Sequence, residues 1–262
     1  MKQGILVTGA TGFVGRAVAQ RLAGSGYDLR TPGRDDLGGI DAQTDWQAHL
    51  DGVDYVVHLA ARAHVMRDHA ADPVELYREI NLEGTRNLAK QAAAAGVKRL
   101  IFMSSIKAGL SPTWAADPYG ASKKEADDFL GTHPNGMEAV ILRPPLVYGP
   151  GVKGNFLSLL GLVNKGLPLP LGLVDNRRSM IYVGNLAAAV EAALDARPGI
   201  YSPSDGSDVS TAALVRAIAR ALGRPARLLP VPVWCLRLGG LLTGKSAAID
   251  RLTGSLTVQG GL

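Results

Sequence analysis

Between Val7 and Gly15 the chain reads Val-Thr-Gly-Ala-Thr-Gly-Phe-Val-Gly, with glycines at 9, 12 and 15. The run Ile5-Leu6-Val7 before it has the texture of a buried strand, and Phe13 to Ala23 after it has helical spacing. A strand that turns into a helix through spaced glycines leaves few folds open. So tight a turn needs residues without Cβ. Gly12 lets the backbone approach a pyrophosphate, whose charge meets the unpaired N–H groups of the helix start. Gly15 allows close packing of helix on strand. Gly9, Thr11, Gly12, Phe13, Val14 and Gly15 therefore form a candidate dinucleotide site.

The alternation continues. Tyr27–Arg30, Tyr55–Leu59, Leu100–Met103 and Ala139–Leu142 read as strands. Helical patterns run from about Val74 to Ala95, closed by Gly96, and from Tyr119 to Leu130. Strands alternating with helices predict an α/β fold, a doubly wound parallel sheet with right-handed crossovers, over residues 1–145. After Arg143 the texture changes, as Pro144, Pro145, Pro150, Pro168 and Pro170 break the rhythm among glycines. Residues 146–262 are expected to form a smaller, mostly substrate-binding portion, interleaved with returning sheet elements near 179–205. Leu186–Ala196 and Thr211–Leu222 read as helices there, the second with Ser210 as N-cap.

Composition narrows the function. An apolar fraction of 47% with 19% charged residues excludes a disordered chain. The net charge is +5, but Lys and Arg are dispersed with no run of five, so a cationic enzyme for phosphorylated small molecules is favoured over a nucleic-acid binder. The single cysteine, Cys235, allows no intrachain disulfide, which fits a reducing cytoplasm. It lies in Val233-Trp234-Cys235-Leu236, which reads as core. The first strand begins close to residue 1, so no signal peptide is expected, and no apolar run is long enough to predict a membrane span. No metal site is expected.

The end of the second strand usually meets the adenosine ribose. Arg34, with Arg30, could pair with a 2′-phosphate, which points to NADP(H). Asp35 or Asp36 on the ribose would instead mean NAD(H), and both cofactors stay open. Pro118-Tyr119-Gly120-Ala121-Ser122-Lys123 places a phenol and an ammonium on one helix face. The cation is expected to lower the pKa of Tyr119 so that it exchanges a proton near neutral pH. Ser104 and Ser105 follow a strand, where the ligand crevice of a parallel sheet lies.

Taken in order, Thr8–Gly15, His58-Leu59-Ala60-Ala61, Asn81-Leu82-Glu83-Gly84-Thr85, Ser104-Ser105, Tyr119-x-x-x-Lys123 and Arg143-Pro144-Pro145-Leu146-Val147-Tyr148-Gly149-Pro150 resemble the NAD-dependent epimerase/dehydratase family of extended short-chain dehydrogenases. The bacterial UDP-sugar 4-epimerases and 4-keto-reductases of surface-polysaccharide pathways are the most similar members. The resemblance implies that Tyr119 is the acid/base, that Lys123 binds the nicotinamide ribose and that Ser105 faces the substrate, with Ser104 structural. It places Leu59, Ala60, Ala61 and Pro145 beside the cofactor, with Asn81 bracing that wall. Asn155 and Arg178 match positions that hold a nucleotide diphosphate. His64 and Lys107 are pocket-rim candidates, each with a plain solvent-facing reading beside it.

Two departures matter. Sugar 4,6-dehydratases carry Asp-Glu where this chain has Ile106-Lys107, so a dehydratase is disfavoured. Relatives continue beyond Thr253-Gly254-Ser255-Leu256 with another strand and helix, so this chain is either truncated or naturally short, and part of the usual substrate lid is expected to be missing, with a more open pocket. The implied activity is hydride transfer at carbon 4 of a nucleotide-linked, UDP-type sugar, by an epimerase or a 4-keto-reductase. A non-catalytic redox-sensing protein is the rival from another class. A homodimer through the helix before Gly96 and the helix carrying Tyr119 is also implied.

Overall fold

The structure is a computed structural model that describes residues 2–63, 72–110 and 112–258; His64 lies outside the described residues. The elements, in chain order, are β1 (Gly4–Thr8), α1 (Phe13–Gly24), β2 (Asp28–Arg30), α2 (Arg34–Leu37), α3 (Gln47–Leu50), β3 (Tyr55–His58) and α4 (Pro73–Tyr77). A wide π-turn over Arg78–Glu83 joins α4 to α5 (Gly84–Ala94), and β4 (Arg99–Met103) follows. Next come α6 (Pro118–Gly131), β5 (Glu138–Leu142), β6 (Leu146–Tyr148), α7 (Asn155–Asn164), β7 (Met180–Tyr182), α8 (Val183–Ala192) and β8 (Gly199–Tyr201). The last elements are α9 (Thr211–Ala221), α10 (Val233–Leu242) and α11 (Ser246–Thr253).

Six strands form one parallel sheet in the order β2-β1-β3-β4-β5-β8. All five residues of β1 are buried, as expected for a strand covered on both faces. One core, containing Leu88, Ala92, Phe102, Ala126 and Leu130, lies under α5 and α6. The other, containing Val18, Leu22, Val57, Leu186 and Val190, lies under α1 and α8. The strand order reverses between β1 and β3, and in such sheets the crevice at that point, beyond the strands' carboxyl ends, receives the ligand.

The expected strands and long helices are present, with differences that have physical causes. The pattern over Val74–Ala95 is interrupted by the π-turn, which accommodates one extra residue and keeps Asn81 and Leu82 buried. Ser210 caps α9, its Oγ accepting from the Ala213 N–H at 3.0 Å. Of the stretch 179–205, β8 joins the large sheet, whereas β7 pairs with β6 in a separate two-stranded sheet. A third core, built from Leu159, Val163, Leu169, Val215, Ile218 and Leu236, unites α7, α9 and α10. The reading of Val233–Leu236 as core needs correction. Only Leu236 is buried, Cys235 is half-buried, and Trp234 is 68% exposed, because this helix turns a second apolar side outward.

Candidate active site

The glycine loop lies at the sheet's switch point, against the loop that follows β3. Gly9 has φ +71°, and a Cβ there would meet the Ala60 nitrogen at 2.7 Å. Thr8 Oγ1 is 3.3 Å from the same Ala60 N–H, which donates to it, and 2.7 Å from His58 Nδ1. A Cβ on Gly15 would lie 2.0 Å from the Gly9 carbonyl oxygen. Gly15 thus lets α1 close on the turn itself rather than on the strand behind it.

Helix α1 starts with no side-chain cap and no acidic residue in its first turn, so its N–H groups and dipole remain available to an anion. Arg16, which sequence reasoning passed over, donates from Nη1 to the Thr11 carbonyl at 3.1 Å. With Ala10, Thr11, Ala19 and Thr31 it lines a cavity beside the glycine loop. A side chain on Gly151 would come 3.7 Å from Phe13 and Arg16, so the glycine-rich loop after β6 leans over this end of α1. These residues fit a dinucleotide pyrophosphate.

Arg34 is exposed at the first position of α2. Asp36 caps that helix, accepting from the Gly33 N–H at 2.7 Å. The Arg30 guanidinium donates to the His49 carbonyl at 3.4 Å and lies near Gly52.

Asn81 clamps the backbone after β3. Its Oδ1 accepts from the Arg62 N–H at 2.7 Å and its Nδ2 donates to the Arg62 carbonyl at 3.1 Å. The same Nδ2 donates to Ser122 Oγ at 3.1 Å, and Ser122 donates to the Tyr119 carbonyl at 2.8 Å. The wall formed by Leu59, Ala60 and Ala61 is thereby tied to the helix that carries Tyr119. His58 bridges Thr8 and Thr85, and its burial drives its pKa down to about 3, so the ring is neutral.

Helix α6 begins at Pro118 behind Asp117, whose Oδ1 accepts from the Gly120 N–H at 3.2 Å. Tyr119 lies beside Ser105, just beyond β4, and the serine hydroxyl works to lower the pKa of the phenol. Burial nevertheless pushes the phenol up to about 12, outweighing the effect of Ser105. Lys123 is buried and donates to the Met103 carbonyl at 2.8 Å, with its ammonium 4.3 Å from the centre of the Phe102 ring. Burial brings its pKa down to about 8. The expected lowering of the Tyr119 pKa by Lys123 is thus not found. The ammonium is held by a main-chain carbonyl, and burial governs the phenol. Pro145 is buried just beyond β5.

Behind Lys123 lies a group that the sequence reading missed. Asp127 is wholly buried and its Oδ2 accepts from Ser104 Oγ at 2.9 Å and from Arg143 Nε at 2.8 Å. Ser104 is structural in this sense. The available signal was the spacing Tyr119, Lys123, Asp127, three residues on one helix face.

The remaining candidates are dispersed. Lys107 donates to Asp117 Oδ2 at 2.8 Å and sits 5.9 Å from the centre of the Tyr119 ring, so it faces the site and also ties down the start of α6. Asn155 is exposed at the first residue of α7. Arg178 hydrogen-bonds the Arg251 and Gly254 carbonyls at the end of α11, and its backbone bridges Val209 and Leu256. That gives it a structural task within the C-terminal portion. Among the described residues there is no cluster of groups that could hold a metal ion.

A glycine loop at the switch point of a parallel sheet, with serine, tyrosine and lysine gathered at the end of β4, defines a nicotinamide-dependent enzyme of the short-chain dehydrogenase type. Residues 5–203 match the NAD dependent epimerase/dehydratase family, and the chain belongs to it. It is 46% identical to a UDP-glucose 4-epimerase of Vibrio cholerae over 99% of this chain and 88% of that protein. It is 29% identical to the N-acetyl-alpha-D-glucosaminyl-diphospho-ditrans,octacis-undecaprenol 4-epimerase of Escherichia coli O157:H7, over 95% of this chain and 84% of that one. The UDP-glucose 4-epimerase of Thermus thermophilus, solved with NAD, superposes with a TM-score of 0.69 at 27% identity, covering 88% of this chain and 86% of that chain.

Proposed function

We propose that this chain is a nucleotide-sugar 4-epimerase that acts on a UDP-linked hexose. The observation that carries the reading is the meeting of Ser105 and Tyr119 at the end of β4, with Lys123 one turn along the same helix. The start of α1 and the wall at Ala60 would hold the dinucleotide. Bound there, the nicotinamide would supply reversible hydride exchange with carbon 4 of the sugar. The chain's own part is the proton. Tyr119 takes it from the 4-hydroxyl and gives it back, while Ser105 hydrogen-bonds the same oxygen. A phenol pushed up to about 12 by burial is a strong base once deprotonated.

A second reading, an NADPH-dependent 4-keto-reductase, is favoured by one observation. Thr31, at the end of β2, shares its cavity with Arg16, while Asp36 is spent as a cap. A homodimer through the faces of α5 and α6 belongs to the proposal as well.

Proton NMR of the anomeric region distinguishes these readings. UDP-glucose or its N-acetyl counterpart, incubated with the purified protein, should reach an equilibrium with its 4-epimer. Tyr119→Phe should slow this by about 100- to 10,000-fold. No conversion, with stoichiometric NADPH oxidation by a UDP-4-keto-sugar, would replace the epimerase with the reductase.

A further inference from the structure

Helix α10 is apolar on two opposite sides. Leu236 and Gly240 are buried, and Gly240 sits so close to Ile249 of α11 that a Cβ would meet it at 2.8 Å. On the other side Trp234, Leu238, Leu241 and Leu242 are 68%, 51%, 71% and 78% exposed. At helical spacing these four fall within about 100° of arc, a single stripe. Leu229, shortly before the helix, is 48% exposed as well. Scattered exposed leucines are ordinary, but a continuous stripe headed by tryptophan marks a contact surface.

The charge along this last part of the chain is one-sided. From Val209 to Val258 there are seven cationic side chains and one carboxylate, Asp250. This stretch therefore carries more positive charge than the +5 of the whole chain. Arg224, Arg227, Arg237, Lys245 and Arg251 are all exposed. Arg237 flanks the stripe and Lys245 follows just beyond its end.

We propose that α10 is a docking helix for an anionic lipid bilayer, lying flat with Trp234, Leu238, Leu241 and Leu242 in the headgroup region. An exposed Trp/Leu face bordered by Arg and Lys is the chemistry of an interfacial helix. No described helix is long and apolar enough to cross a membrane, so the contact would be peripheral. A second copy would bring like charge against like charge, which disfavours self-docking. A nucleic acid would leave the leucine stripe uncovered. The proposal does not depend on which sugar the active site takes.

Flotation with lipid vesicles tests it. The full chain should float with phosphatidylcholine vesicles containing about one part in four of phosphatidylglycerol and remain behind with pure phosphatidylcholine. Trp234→Glu and Leu241→Glu should each cut the bound fraction about tenfold or more, with melting temperature and turnover of soluble substrate unchanged. Raising salt should weaken binding, and Trp234 fluorescence should shift to the blue on the anionic vesicles. Failure to float with anionic vesicles would overturn the proposal, and so would flotation that survives both substitutions. A solution dimer split by Leu241→Glu would assign the stripe to a second copy instead.

Discussion

Asp127 lies one helical turn beyond Lys123 on α6, and its buried charge acts on the ammonium that donates to the Met103 carbonyl. Ser104 and Arg143 hold the carboxylate in place, while Oδ1 has no hydrogen-bond partner among the described residues. The field of Asp127 raises the pKa of Lys123 and also that of Tyr119. Asp127→Asn keeps the shape and removes the charge. Both pKa values should then fall, and the pH profile of turnover should move toward acid as a whole. A profile that loses height without moving would show that Asp127 supports only the fold.

Gly15 and Gly24 both sit in α1, yet they should answer oppositely to alanine. A Cβ at Gly15 would lie 2.0 Å from the Gly9 carbonyl, whereas nothing lies within 4 Å of one at Gly24. Gly15→Ala should cost about 1–3 kcal/mol in urea denaturation and abolish retention of bound dinucleotide. Gly24→Ala should be neutral, or stabilising by up to about 1 kcal/mol. Equal effects would mean that the turn has more room than its geometry shows.

His58 should contribute to acid sensitivity. Its pKa falls from an ordinary 6.5 to about 3 on folding, chiefly through burial and secondarily through the charge of Lys123. A base depressed in the folded state withholds a proton that the unfolded chain binds. The stability is present above about pH 6.5 and is lost as pH falls toward 3, at about 1.4 kcal/mol per pH unit. Denaturation measured at about pH 7.5 and about pH 5 should show His58→Asn losing about 2 kcal/mol less than the parent over that interval. Identical losses would place the sensitive group elsewhere.

Asp117 and Lys107 separate a cap from a surface ion pair. Asp117→Ala removes the N-cap of α6 and should cost about 0.5–2 kcal/mol, with a lower melting temperature. Lys107→Met breaks a half-exposed pair, which contributes about 0–1 kcal/mol, so stability should hardly change. Because Lys107 faces the Tyr119 ring, its loss should appear in kcat or KM instead. A fall in melting temperature with unchanged kinetics would make Lys107 purely structural.

Local pattern alone determined the dinucleotide half. Glycines at 9, 12 and 15, the alternating buried strands and the Tyr119–Lys123 spacing are short-range features, and each demands one local structure whatever the rest of the chain does. Returning sheet elements were expected near 179–205, but which partners the three-residue strands β6, β7 and β8 take was not legible, because so short a run carries no signal of its neighbour. The tasks of Asp127 and Arg178 were equally hidden, since each is set by partners far along the chain: Ser104 and Arg143 for one, Arg251 and Gly254 for the other. Trp234 shows the limit most plainly. An apolar helix reads as core in sequence, and only the placement of Leu236 and Gly240 on its inner side decides that tryptophan and its neighbouring leucines face out. Hydrophobicity specifies that a side chain gains by leaving water, but the tertiary packing decides which of them finds the room to do so.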